Sequence, residues 1–241
     1  MRTLGILGGM GPMAGAYFYG RVIANTDSAG DSEHLPVILF ADPRVPDRSS
    51  HLVSGGADPL PWLASGVMTL RKAGAEVVAI PCNTAHAYLS RMSVPHGLVA
   101  DMPRLALAAL QARGARKIGL LSTRGTVASG VYRIAAEEVD IGLLTLPWES
   151  NTSLEGLIYR QKAGETVLAD EYLPYIRWLL DVGADAVVLG CTEISVAFSG
   201  NASSLIVDAL EVLAREVIVL CGGRLKKEER GAQNDVWRAV V

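Results

Sequence analysis

AGAEVVAIPCNT (73–84) and VGADAVVLGCTE (182–193) are two copies of one phrase. Aligned, they pair Gly74 with Gly183, Ala75 with Ala184, Val78 with Val187 and Cys82 with Cys191, at a single offset of 109 from 82 to 191. Glu76 matches Asp185, and Ile80 matches Leu189, in kind. Each copy reads the same way: a glycine that ends a helix, a short continuous apolar run, then a cysteine. A parallel strand needs such a run, because helices cover both faces of its sheet. Upstream, LGILGGMG (4–11) lies over IGLLSTRG (118–125) at an offset of 114 from 4 to 118. These offsets are too long for a solenoid period. Each half thus carries a glycine-rich first strand and a later strand that ends in cysteine.

Working outward, the other apolar runs with strand character are VILFA (37–41), GLVA (97–100), IGLLTL (141–146) and LIV (205–207), beside LGILG (4–8), EVVAI (76–80), KIGLL (117–121) and DAVVLG (185–190). Between them, LPWLASGVMTLRKAG and ADEYLPYIRWLLDVG place apolar residues at three- and four-residue spacing and stop at Gly74 and Gly183, as amphipathic helices do. The expectation is an α/β fold with two similar parallel-sheet domains. Boundaries near 99–101 and 207 divide the chain into an N-terminal domain, 1–99 with a C-terminal return at 208–241, and a second domain, 100–207. The tail after Leu220 changes to glycines and mixed charge and reads as a final helix with a loose or partner-packed terminus.

Composition narrows the function. With 241 residues, half of them hydrophobic, the chain can bury a large core without disulfides or metals. A net charge of −3, with basic residues scattered, gives no footprint for nucleic acid or an anionic membrane. The start of the chain has no signal pattern, and no run is long enough to span a bilayer, so a cytoplasmic protein is expected. Three cysteines leave an odd thiol and argue against a disulfide framework. No His/Cys/Asp spacing reads as a metal site.

Cys82 and Cys191 each stand between a strand end and a helix start, where open α/β sheets bind ligands. Backbone N–H groups at a helix start favour the thiolate. Cys221, at the end of VIVLC, reads as core. Two thiols facing each other across a cleft suit a reaction that takes a proton from one face of a carbon and returns one to the other. Such a reaction needs donors aimed at the adjacent carboxylate. Asn83, Thr84, Thr123, Thr126 and Thr192 follow predicted strands and are candidates, although each also suits a helix cap. His86 lies four residues after Cys82, on the same helix face. Arg44 and Arg48 lie in DPRVPDR (42–48), a loop stiffened by Pro43 and Pro46; Arg48 is the better candidate for a carboxylate, and Arg44 reads as a surface residue. In GGMGPMAG (8–15), Gly9, Gly11 and Ala14 fit a loose dinucleotide fingerprint, so an NAD(P)-dependent oxidoreductase is an alternative. The same loop equally suits a substrate carboxylate. A binder of a small acidic ligand, without catalysis, is a third reading.

Taken together, GILGGMGP, DPRVPDR, IPCNTAH, GLLSTRGT, LIYRQKAG and LGCTEIS resemble the aspartate/glutamate racemase superfamily, in order from residue 4 to about 214. The resemblance is strongest to its aspartate racemase branch. It implies two flavodoxin-like or Rossmann-like domains related by a pseudo-twofold, with an active site in the cleft between them and a homodimeric assembly. It implies racemisation of a small amino acid, aspartate, without pyridoxal phosphate or any other cofactor, and with Cys82 and Cys191 as the catalytic pair. By motif match, Met10, Asn83, Thr84, Thr123, Thr126, Thr192 and Glu193 fall where the family holds the substrate carboxylate and amino group. Arg48 and Lys162 fall where it holds an acidic side chain; without the resemblance, Lys162 reads as an exposed lysine. Glutamate racemases usually open with an Asp-Ser motif where this chain has GGMGP. Racemases of glutamate, of hydantoins or of many amino acids remain alternatives. Arg124 in STRGT has no meaning that the family supplies.

Overall fold

The computed structural model describes residues 1–199 and 204–227. The expected helix in the tail falls largely on 228–241, outside the described residues. Seven strands form in order: β1 (Leu4–Gly8), β2 (Val37–Ala41), β3 (Val77–Ala79), β4 (Lys117–Leu121), β5 (Gly142–Thr145), β6 (Ala186–Leu189) and β7 (Ile206–Asp208). Ten α-helices lie between and after them: α1 (Pro12–Asn25), α2 (Arg48–Ser54), α3 (Leu60–Lys72), α4 (Met102–Ala112), α5 (Arg124–Ser129), α6 (Val131–Glu138), α7 (Trp148–Lys162), α8 (Ala169–Asp181), α9 (Thr192–Ala197) and α10 (Ala209–Leu220). The strands pair in parallel in two sheets, ordered β2-β1-β3 and β5-β4-β6-β7.

The repeat seen in the sequence is a repeat of register. Leu4 pairs with Val77, and Ile118, its counterpart, pairs with Ala186. Cys82 and Cys191 therefore each lie five residues beyond an equivalently paired position. One expected strand is reduced: GLVA (97–100) makes only a single parallel bridge, Val99 to Val78, at the position that β7 fills in the other sheet. The reason is local. Gly97 turns with φ +76, and Asp101 already caps α4, so a single residue has room to pair.

Both sheets are covered on both faces. The largest apolar cluster joins Leu4, Ile6 and Phe18 to Ile118, Leu120 and Val188 through Leu210, Leu213 and Val217 of α10. A second cluster packs α7 and α8 on the outer face of the β4 sheet, and a third packs α3 on the outer face of the β1 sheet. Cys221, at the C-terminal cap of α10, is buried in the central cluster, and burial pushes its thiol up to about 11. Among the described residues, no helix is long and apolar enough to cross a membrane.

The site depends on how the two halves meet. α2 of the first half lies on α5 of the second, and a Cβ built at Gly125 would stand 2.5 Å from the Cα of Ser49. Gly125 occupies a helix, where alanine is ordinarily the better residue by roughly 1 kcal/mol. Contact with backbone reverses that preference, because overpacking a tight contact costs about 1–3 kcal/mol. Gly125→Ala is therefore expected to lower the denaturant midpoint in equilibrium unfolding. An unchanged or raised midpoint means that α2 and α5 separate at little cost.

Candidate active site

Each cysteine is the last extended residue before a helical turn, and the two turns differ. Cys191 precedes α9, while Cys82 precedes a nine-residue 3-10 helix, Asn83–Arg91. His86 is locked into this segment: Nδ1 lies 3.0 Å from the Cys82 carbonyl and Nε2 lies 3.3 Å from that of Ala100. Burial lowers its pKa, and the ring, set between two backbone carbonyls, holds backbone rather than facing the cleft. Four residues after Cys191, Ser195 contacts the Cys191 carbonyl in the same way, at 3.5 Å, and donates to Asp208 at 2.6 Å.

All three cysteines are free and buried. The Cys191 thiol donates to Glu193 Oε2 at 3.0 Å. Burial first, then the Glu193 carboxylate, push its pKa well above the ordinary thiol value, against the opposing pull of Lys162. At Cys191 this runs against the lowering that a helix start favours. Burial, then the Glu193 carboxylate, outweigh the backbone N–H and favour the thiol form of Cys191. Glu193 also accepts from the Thr192 hydroxyl at 3.4 Å and from the Gly11 N–H at 3.4 Å. A carboxylate thus meets the N–H that a dinucleotide loop offers to a phosphate, and like charge disfavours that use of GGMGPMAG. Gly9 keeps this loop tight: φ is +98, and a Cβ there would strike the Asp42 backbone at 2.4 Å.

Arg48 is not on a loop. It opens α2, behind Asp47, whose side chain accepts from the Ser50 N–H as the N-cap. Its guanidinium is buried, donating to the carbonyls of Met10 at 2.9 Å and Pro46 at 3.1 Å, while Nε has no hydrogen-bond partner among the described residues. Burial opposes its charge, but Cys82, Asp47 and Glu193 more than offset this and raise its pKa. Lys162, at the end of α7, is part-buried rather than exposed. Burial opposes its charge too; Glu193 and Cys191, helped by Cys82, outweigh burial and Arg48, so its pKa rises. One ammonium therefore feels both cysteines, Glu193 and Arg48. Arg44, by contrast, is an exposed partner of Asp42.

The threonines also meet across the halves. Thr84 Oγ1 lies 3.2 Å from Thr123 Oγ1 and 2.8 Å from Thr126 Oγ1, and Thr123 and Thr126 are 3.1 Å apart. Thr123 also caps α5. Asn83 accepts from the Tyr132 hydroxyl at 2.6 Å through Oδ1, and its buried Nδ2 has no partner among the described residues. Burial pushes the Tyr132 pKa well above the ordinary phenol value, so the hydroxyl stays a donor and fixes the amide's orientation. Tyr132 gave no sequence signal; neither did Gln161, which donates to the Glu193 carbonyl at 2.8 Å and accepts from Tyr172 at 3.1 Å. Gly11, Pro12, Met13, Ala14, Gln161, Lys162, Glu193 and Val196 line a small cavity of about 60 Å³ between the glycine loop and α7. No group of three or more His, Cys, Asp or Glu side chains suits a metal among the described residues.

Paired parallel sheets with a strand-end cysteine in each half define an α/β protein with two buried thiols at equivalent positions. The family model for Asp/Glu/hydantoin racemases matches residues 7–217, and the chain belongs to that family. Among solved structures it is similar to the aspartate racemase of Picrophilus torridus, with a TM-score of 0.81 and 27% identity over 100% of this chain and 99% of that one. It is 28% identical to the broad specificity amino-acid racemase RacX of Bacillus subtilis over 148 residues, covering 54% of this chain and 58% of RacX. It is 32% identical to a glutamate racemase of Listeria monocytogenes over 127 residues, covering 50% of this chain and 46% of that protein. The chain spans about half the length of these curated relatives.

The Cys191–Glu193 pair makes a direct spectroscopic prediction. Glu193→Gln removes the negative charge that helps hold Cys191 protonated. In a Cys82→Ser, Cys221→Ser background, thiolate absorbance at 240 nm is then expected to rise at lower pH than with Glu193 present. A midpoint that stays put or moves upward contradicts the assignment.

Proposed function

We propose that the protein is an amino-acid racemase that acts on aspartate and moves the substrate α-proton between Cys82 and Cys191. The observation that carries this reading is the pair of buried thiols at equivalent strand ends, with both linked electrostatically to Lys162. The two thiols have different surroundings. Cys191 is a thiol hydrogen-bonded to Glu193, the form required of the acid. Cys82 lies with the Arg48 cation and takes the role of base in the first half of that cycle. In the reverse direction the roles exchange.

Binding of the substrate draws on donors that the protein leaves open. Among the described residues, Arg48 Nε and Asn83 Nδ2 are buried donors without acceptors, which is costly unless a ligand supplies them. Arg48 and Lys162 match a dicarboxylate in charge, with the amino-acid carboxylate falling to Asn83, Thr84, Thr123, Thr126 and Thr192. Hydrogen bonds from these groups stabilise the negative charge that develops when the α-proton leaves. Glu193 suits the substrate ammonium, and the carbonyl of Met10 holds Arg48 in place. The likeness to the Picrophilus aspartate racemase over the full chain favours aspartate. The partial matches to RacX and to glutamate racemases make a broader amino-acid range, or glutamate, the second reading.

Proton NMR in D₂O, with L-aspartate and no pyridoxal phosphate, tests the reaction. The α-proton signal is expected to vanish as D-aspartate accumulates. Cys82→Ser and Cys191→Ser are each expected to reduce turnover by at least about 10²-fold, the usual scale for losing a general acid or base. Either variant at near wild-type turnover refutes the two-base mechanism, and exchange of other amino acids but not aspartate refutes the substrate.

A further inference from the structure

At the rim of the site a hydrogen bond joins two residues that lie within DPRVPDR and LIYRQKAG but carry no assigned role. Tyr159 of α7 donates its hydroxyl to Asp47 Oδ1 at 2.9 Å. Asp47 immediately precedes Arg48 and caps the helix that Arg48 opens, accepting from the Ser50 N–H at 2.7 Å. Tyr159 lies three residues before Lys162 on α7, and the Lys162 ammonium stands over its ring, 4.9 Å from the centroid. Each end of this bond is thus attached to one of two cations, Arg48 through the chain and Lys162 through the ring face.

The bond is built to persist. Burial first, then Asp47, push the Tyr159 pKa up to about 12, so the phenol remains a donor. Burial opposes the charge of Asp47, but the Ser50 N–H, Lys162 and Arg48 outweigh it and hold its pKa below the usual carboxylate range. A charged acceptor makes such a bond stronger than a neutral one.

We propose that Tyr159 and Asp47 are specificity-determining residues: their hydrogen bond fixes the separation of Arg48 from Lys162, and so the length of the dicarboxylate that fits between them. Neither residue touches the reacting atoms; they act by position. This inference rests on the reading of the protein as a racemase of acidic amino acids. Without the tie, the ends of α2 and α7 spread, and an acid one methylene longer gains relative to aspartate. A pocket fitted to one chain length discriminates against a methylene by about 10–200-fold, and a loosened pocket forfeits part of that.

Tyr159→Phe removes only the hydroxyl and keeps the ring under Lys162. The experiment measures kcat and KM for α-proton exchange in D₂O with L-aspartate and with L-glutamate, together with Tm. For this variant, KM for aspartate is expected to rise about tenfold with kcat little changed. The ratio of kcat/KM for aspartate over glutamate is expected to fall about tenfold as well. Asp47→Asn retains both the cap and an acceptor for the phenol, and it is expected to keep the wild-type ratio. A purely structural role predicts a lower Tm with both substrates affected alike, and that result overturns the proposal. So does a shift in Asp47→Asn as large as in Tyr159→Phe, which would assign the effect to charge. Wild-type exchange with an unchanged ratio in Tyr159→Phe overturns this assignment alone. Absence of exchange by the wild type with either acid overturns the functional reading and this assignment with it.

Discussion

At Gly125 the backbone of α5 runs against Ser49 of α2 with no room for a methyl group, and the geometry of the cleft follows from that contact. α2 carries Arg48 and α5 is capped by Thr123, so contact between these two short helices joins an element that carries a cation to one that carries hydroxyls. The triangle of Thr84, Thr123 and Thr126 closes over the same junction. Short helices at strand ends are effective here because they are held at both ends, by the strand behind and by the opposite half in front.

The cost of the arrangement is electrostatic. A buried arginine, a part-buried lysine, a buried glutamate and two buried thiols share a small volume, and isolated buried charges are expensive. The site meets this by mutual compensation. Glu193 raises the pKa of Lys162 and of Cys191, while Cys82 and Glu193 support the charge of Arg48. The same coupling makes the two cysteines unlike, although the fold places them alike. Glu193 gives Cys191 an acceptor for its proton, whereas Asn83, which follows Cys82, is occupied by Tyr132. A near-symmetric scaffold thus carries two thiols in unlike surroundings.

Much of this was legible in the chain itself. β1, β2 and β4 match their sequence runs to the residue, because continuous apolar segments bounded by polar or glycine residues have few other uses. The two cysteines were legible because a repeat marks equivalent positions whatever their chemistry. GLVA was misread because its apolar content says strand while the Gly97 turn and the Asp101 cap leave it one paired residue. The helix start after Cys82 leads into a 3-10 helix, and side-chain spacing over nine residues separates α from 3-10 poorly.

The sequence by itself determined the two parallel sheets, the cysteine at the end of a strand in each, and membership of a racemase family. These depend on local patterns and on motifs that survive in one dimension. Only the tertiary structure decided the protonation of Cys191, the orientation of Asn83 by Tyr132 and the tie between Asp47 and Tyr159. Burial sets the first, and no single position encodes burial. The other two join residues 49 and 112 positions apart. Contacts of that separation follow from how two sheets and their helices pack, since no local propensity specifies which tyrosine will reach which amide or carboxylate.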